Sequence, residues 1–223
     1  MLITDVFQHQ GRPRTVCALA LATTGLHSSD QLIGITTRTL TLEDRGDTWT
    51  TEGTEGRVVL NRDIPADKLA ASAQYHGITQ ADLEDRGLAE EQFKRAVNSV
   101  MIDVHNSDMV LIYNLDFLRR FLLKADAFIQ VQEHIIDITA LDRLIRSGTA
   151  VRHVGDTFAP TTRDLAYSCQ AIGPGTLAGM RRAHKIPEPN WSFNMVPAAN
   201  CSMMIDLFQS WMAQEIPVIT TSV

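Results

Sequence analysis

Apolar and polar positions along this chain change period several times, and the changes mark its elements. Val16–Leu21 is a continuous apolar run that ends in Thr23-Thr24-Gly25-Leu26, the pattern of a strand buried on both faces and closed by a turn. After a short polar stretch, Gln31–Thr36 has an apolar core of Leu32, Ile33 and Ile35. It predicts an antiparallel return strand, which β-favouring threonines carry to about Leu42. Glu43–Asp47 reads as a polar loop and Arg57–Leu60 as the third strand of a meander. An acid just before Pro65 marks a helix start at Asp63.

Further on, the period becomes helical. Leu88–Ile102 places Phe93, Val97, Val100 and Met101 at spacings of three and four, an amphipathic helix. Met109–Tyr113 is a short apolar run of the kind buried in a parallel sheet, Asn114–Ala127 is helical, and His134–Ile138 is a further inner strand leading into a helix at Thr139–Arg146. Residues 147–163 lack periodicity and read as a long surface loop. Asp164–Ile172 is a short helix, Gly173–Gly175 a break, Thr176–His184 a helix, Lys185–Val196 irregular, and Pro197–Met212 a terminal helix. A three-strand meander followed by alternating helices and strands predicts one α/β sheet with helices on both faces. No internal repeat or linker divides the chain, so residues 1–223 are expected to form a single domain.

Composition narrows the picture only a little. With 223 residues and 44% hydrophobic content the chain can bury one sizeable core. A net charge of −6 argues against nucleic-acid binding by the whole surface but leaves room for a local basic groove. Three cysteines, Cys17, Cys169 and Cys201, have no metal-ligand spacing and fit buried thiols in a reducing compartment. That reading makes the protein cytoplasmic. The first 14 residues lack the pattern of a signal peptide, and no run approaches the ~18 apolar residues of a membrane span.

Three stretches carry candidate chemistry. The first, Leu19-Ala20-Leu21-Ala22-Thr23-Thr24-Gly25-Leu26, resembles the first motif of DnaQ-like 3'–5' exonucleases of the DEDDh group, Asp-x-Glu-Thr-Thr-Gly-Leu. The two acids of the motif fall on Ala20 and Ala22. The second, Asn114-Leu115-Asp116-Phe117-Leu118, matches the family's pattern at Asn114 and Phe117 and puts Leu118 at the acid position. Asp116 is two residues away, a rotation of about 200° on a helix, and reads instead as a first-turn acid favourable to the helix dipole. The third is the family's His, four residues, then Asp, which falls on Met195 and Asn200. His184 is the nearest histidine and is in the wrong frame to replace Met195. Tyr75-His76-Gly77-Ile78-Thr79 resembles a His-Gly-Ile-Thr turn of the same family, and equally fits a helix C-cap glycine.

The resemblance spans about residues 15–212 and implies a ribonuclease H-like α/β fold. In active members two metal ions about 4 Å apart are held by carboxylates. Ala20, Ala22, Leu118 and Asn200 offer one neutral carbonyl oxygen between them, and Met195 cannot take up a proton as His can. The resemblance therefore implies a pseudo-exonuclease without metal or other cofactor. Five replacements that include Leu and Met read as drift after catalysis was abandoned rather than as deliberate inactivation, and Leu118 and Met195 are expected to fill space that ions would occupy. By the same resemblance, Thr23, Thr24, Gly25, Leu26, His76, Asn114 and Phe117 are candidates for contact with single-stranded or 3'-end nucleic acid. Arg119, Arg120, Arg181 and Arg182, with Lys185, either track a phosphate backbone or form solvated helix faces. Trp191 and Phe193 either stack a base or latch the core. The competing functions are a nucleic-acid-binding module and a protein-interaction or scaffold subunit of a nucleic-acid-processing or defence complex, with a protein partner or a second copy of the chain, and an active nuclease using other residues is a third.

Overall fold

The computed structural model describes residues 14–44, 49–129, 135–139, 141–142, 151–152, 176–186, 195–213 and 220–221. The loop expected at 147–163, apart from 151–152, the helix expected at 164–172, Cys169, Trp191 and Phe193 lie outside them. Three strands open the described chain: β1 (Thr15–Thr23), β2 (Leu32–Asp44) and β3 (Trp49–Asn61). They form the predicted antiparallel meander. Helix α1 (Ala66–His76), α2 (Gln80–Arg86), the two-residue β4 (Gly87–Leu88) and α3 (Glu90–His105) come next. Then follow β5 (Met109–Ile112), α4 (Leu115–Leu122) with a 3-10 turn at Leu123–Ala125, and β6 (Ile135–Asp137). The last elements are β7 (Val151–Arg152), α5 (Leu177–Ala183), α6 (Val196–Ala213) and β8 (Thr220–Thr221).

The main sheet has the order β4-β3-β2-β1-β5-β6. β5 and β6 run parallel to β1, and β4 parallel to β3. A meander extended by parallel strands on the β1 side, with helices on both faces, is the ribonuclease H-like arrangement. β7 and β8 form a separate parallel pair. Among the described residues no helix is long and apolar enough to cross a membrane.

β1 is the centre of the sheet, and its alternation sorts the core. Cys17 and Leu19 pack with Val97, Val100, Val110, Phe121 and Leu122 under α3 and α4. Val16, Ala18 and Ala20 face the other way, against Met180 of α5 and Cys201, Met204, Phe208 and Trp211 of α6. A third cluster closes the tip of the meander with Ala22, Ile33, Leu60, Leu69, Ile78, Leu83 and Met195.

Several boundaries differ from the sequence expectation. The third strand begins at Trp49 rather than Arg57, because Gly53 and Gly56, which suggest a break, are carried by pairing with Thr41 and Arg38 across a long hairpin. Helix α2 was not foreseen; its start signal is a capping box, in which Thr79 Oγ1 accepts from Asp82 N and the Asp82 carboxylate accepts from Thr79 N. The helix expected from Asn114 to Ala127 is shorter and ends in the 3-10 turn, where Asp126 takes a left-handed conformation.

Candidate nucleic-acid site

The Thr23–Leu26 turn is rigidified from within. Thr23 Oγ1 donates to Gly25 O at 2.7 Å, and Thr24 Oγ1 accepts from Gln31 N and donates to Asp30 Oδ1. A Cβ on Gly25 would come within 2.4 Å of Asp30 Oδ2, so glycine leaves that carboxylate room to close the turn and accept from His27 N. From α4 and the 3-10 turn, Arg120 donates to Leu26 O at 3.0 Å and Lys124 to Ser28 O and Asp30 O. The basic side chains thus fasten the turn to α4, and Leu26 projects outward with 72% exposure.

Asn114 opens α4 with φ 64°, and its side chain accepts from Phe117 N. The Asp137 carboxylate at the end of β6 accepts from Asn114 N, Leu115 N and Thr139 N. Left-handed backbone is tolerated by Asn better than by most residues, and Asp137 satisfies amides that a helix start leaves without intrahelical partners. The role of Asp137 was missed in the sequence, although an acid at the end of a parallel strand was the available signal.

His76 is 3% exposed and belongs to the helix end, not to a surface. Its Nδ1 accepts from Ile78 N at 3.0 Å, which leaves Nε2 to donate to Ser72 Oγ at 3.0 Å. Burial pushes the imidazole below its ordinary range. Gly77 follows with φ 70° as the left-handed cap of α1, so the C-cap reading of this stretch holds and His76 is not available to a ligand.

The five positions equated with the family's metal ligands and base do not converge as a set. Ala22 and Met195 share the cluster at the meander tip, and Ala20 lies beside it under α6. Asn200, one residue before the fully buried Cys201, is half-buried. Leu118 is elsewhere: it is 2% exposed and packs with Leu19, Phe121 and Leu122 on the α4 face. Leu115, Leu118, Phe121 and Leu122 make an apolar stripe at helical spacing, a signal present in the sequence that places Leu118 in the core. Met195 does fill the tip, with its Sδ 3.8 Å from an Arg86 nitrogen. This donor set does not suit a pair of divalent ions, which need several oxygen ligands. Among the described residues no three His, Cys, Asp or Glu side chains come close enough to hold one.

The expected basic clusters divide. Arg181 is 5% exposed and paired with Asp206 of α6 at 3.1 Å; the expectation that it tracks phosphates is corrected, because its guanidinium serves the α5–α6 contact. Arg182, Arg120 and Lys185 are exposed and Arg119 is half-buried. His184 donates or accepts at 2.9 Å with the fully buried Asp142 and meets Trp211 edge-on. Trp211 lies 15 residues into α6 from Val196, about 22 Å along the axis, so His184 is remote from Met195. Cys17 and Cys201 are buried thiols whose titration burial pushes up. Cys201 Sγ donates to Thr36 O at 3.3 Å.

No family model matches this chain, and no curated protein does. Among solved structures it is similar to E. coli exonuclease I in complex with a 5cy-dT13 oligonucleotide, at 14% identity and a TM-score of 0.49, covering 91% of this chain and 41% of that one. It is also similar to cell-death related nuclease 4, CRN-4, at 10% identity and a TM-score of 0.46, covering 90% and 64%. The chain spans less than two thirds of the length of either.

Proposed function

We propose that this protein is a pseudo-exonuclease that binds nucleic acid without metal-dependent hydrolysis. The observation that carries the reading is the apolar seal at the positions of the family's acids and base. Ala20 and Ala22 are 8% and 3% exposed and Met195 is 6% exposed, all packed in apolar clusters. A two-metal mechanism requires carboxylates to clamp the attacking and leaving oxygens, and methyl groups and a thioether cannot do so. Support for retained binding comes from the surface around the old motif. Leu26 stands out from a rigid turn beside Arg120 of α4, and Arg119 on the same helix, with Arg182 away from the motif on α5, adds further cations that attract phosphates whatever the sequence.

Incubation of purified protein with labelled single- and double-stranded DNA and RNA, in magnesium and in manganese, is expected to release no nucleotide. Fluorescence anisotropy in EDTA is expected to show salt-sensitive binding that the combined Arg119→Ala, Arg120→Ala and Arg182→Ala changes weaken. Nucleotide release exceeding one per protein molecule, with contaminating nuclease excluded, would overturn the inactive reading; absence of binding at low salt by folded protein would overturn the nucleic-acid reading.

A further inference from the structure

Beyond the buried Ala20 and Thr36, the α6 face of the meander opens toward β3. Strand register sets Ala20 beside Thr36 and Thr36 beside Val58, and in the next row Ala18 beside Arg38 and Arg38 beside Gly56. Because the neighbour of Arg38 on β3 is a glycine, no side chain of the sheet fills that end of the row. A groove of about 480 Å³ results, bounded on its far side by Arg86, Met195 and Ala198. This volume is within the range of roughly 300–1,000 Å³ usual for small-molecule sites.

Two arginines, Arg38 and Arg86, bring guanidinium groups to its described lining. Arg38 donates to Ser202 Oγ of α6, which holds its guanidinium above the sheet. Arg86, in the last turn of α2, donates to Asp82 Oδ1 at 2.8 Å and reaches Met195 Sδ. Arg57, between Gly56 and Val58 on β3, turns its side chain to the opposite face of the sheet, where its guanidinium pairs with Asp103 of α3 at 2.9 Å, and adds no charge to the groove. No Asp or Glu is among the described lining residues. In a chain of net charge −6, such a pocket is a local departure from the charge of the whole, and guanidinium is the side chain best matched to phosphate oxygens. Val58 and Met195 give the groove an apolar wall beside the cations.

We infer that this groove is a metal-independent site for a phosphate ester of nucleotide size. Arg38 and Arg86 take the phosphate oxygens, and Val58 and Met195 the organic part. The inference rests on the nucleic-acid reading and gives it a location, in which arginines hold the phosphate in place of metal ions.

Gly56 supplies the test. A Cβ there would meet only Thr37 O, at 3.9 Å, so Gly56→Leu fills the groove while leaving every charge in place. Calorimetric titration in EDTA is expected to show saturable binding of AMP, with adenosine at least tenfold weaker. Gly56→Leu is expected to abolish AMP binding with no fall in melting temperature, and Arg86→Gln to weaken it tenfold or more. If an oligothymidylate displaces AMP, the phosphate belongs to a strand; if AMP binds and the oligomer does not displace it, the ligand is a free nucleotide. Failure of folded wild-type protein to bind AMP, or AMP binding that survives Gly56→Leu, would overturn the inference. Oligomer binding that survives Gly56→Leu would remove the groove while leaving the pseudo-exonuclease reading intact.

Discussion

The two faces of β1 are built from different materials. Toward α3 and α4 the strand shows Cys17 and Leu19, met by Val97, Phe121 and Leu118 in a core of branched and aromatic side chains. Toward α6 it shows Ala18 and Ala20, then Ala22 at the tip, flanked on β2 by Gly34, Thr36 and Arg38. Large side chains hold a helix off a sheet, whereas methyl groups let it close. Cys201 is accordingly near enough to donate to a backbone carbonyl of β2. Gly34 is tight as well, since a Cβ would come within 2.7 Å of Leu60. The α6 face is packed close along β1 and open only farther out, over Arg38 and Gly56.

Introducing acids tests this contrast, and the largest effect is expected on the α3–α4 face. Leu118→Asp loses the packing of a 2% exposed leucine, about 2–5 kcal/mol. It also buries a carboxyl without a partner, a further cost of about 1–3 kcal/mol. Urea unfolding is expected to show a severely destabilised or unfolded variant. Ala20→Asp removes no large side chain, so its cost is expected to be only the second part, about 1–3 kcal/mol. A larger loss for Ala20→Asp than for Leu118→Asp would mean that the two faces have been assigned the wrong way round.

The meander, the parallel strands and the two-faced sheet were legible because hydrophobic runs fix them with little help from context. The ribonuclease H-like arrangement was what the resemblance of three short motifs implied, without a strand order. Leu118 shows where motif reading and physics part: alignment puts it at the cleft, while its spacing from Leu115, Phe121 and Leu122 puts it in the core, and burial wins. Arg181 failed as a surface residue because its partner, Asp206, is on another helix whose packing the sequence does not display, whereas the Ser72 partner of His76 stands four residues back on the same helix, a spacing that was legible. The groove was invisible because it depends on which residues stand opposite one another in β2 and β3. Arg38 and Gly56 are 18 residues apart and meet only through register.

A smaller effect is expected from pH, at the meander tip. His76 is neutral in the fold, and burial holds its titration below the ordinary value of 6.5. Above that value folded and unfolded chains both carry neutral imidazole, and the contribution of His76 is fully present. As pH falls below it, the unfolded chain takes up the proton first, so stability declines until the folded-state titration point is passed. Denaturant midpoints measured between pH 7.5 and 5 are expected to fall, and His76→Gln to flatten that part of the profile. A decline of the same size in His76→Gln would assign the effect to other groups.

The smallest expected effect is that of divalent ions, and here a null result is informative because the alternative is large. An ion held by the folded state at a hundred times its dissociation constant would add about 2.7 kcal/mol to stability. For a chain of this size that amounts to a rise of roughly 5–11 °C in melting temperature, at about 2–4 °C per kcal/mol. The α6 face offers Ala20, Ala22 and Met195, which ligate nothing hard, and the groove beside it is lined by arginines that repel a cation. Melting temperatures in EDTA and in millimolar magnesium or manganese are therefore expected to coincide, while AMP at saturating concentration raises the melting temperature in EDTA. A rise of several degrees with magnesium alone would show that a cation site exists among these residues, and that the closed face of β1 has been misread.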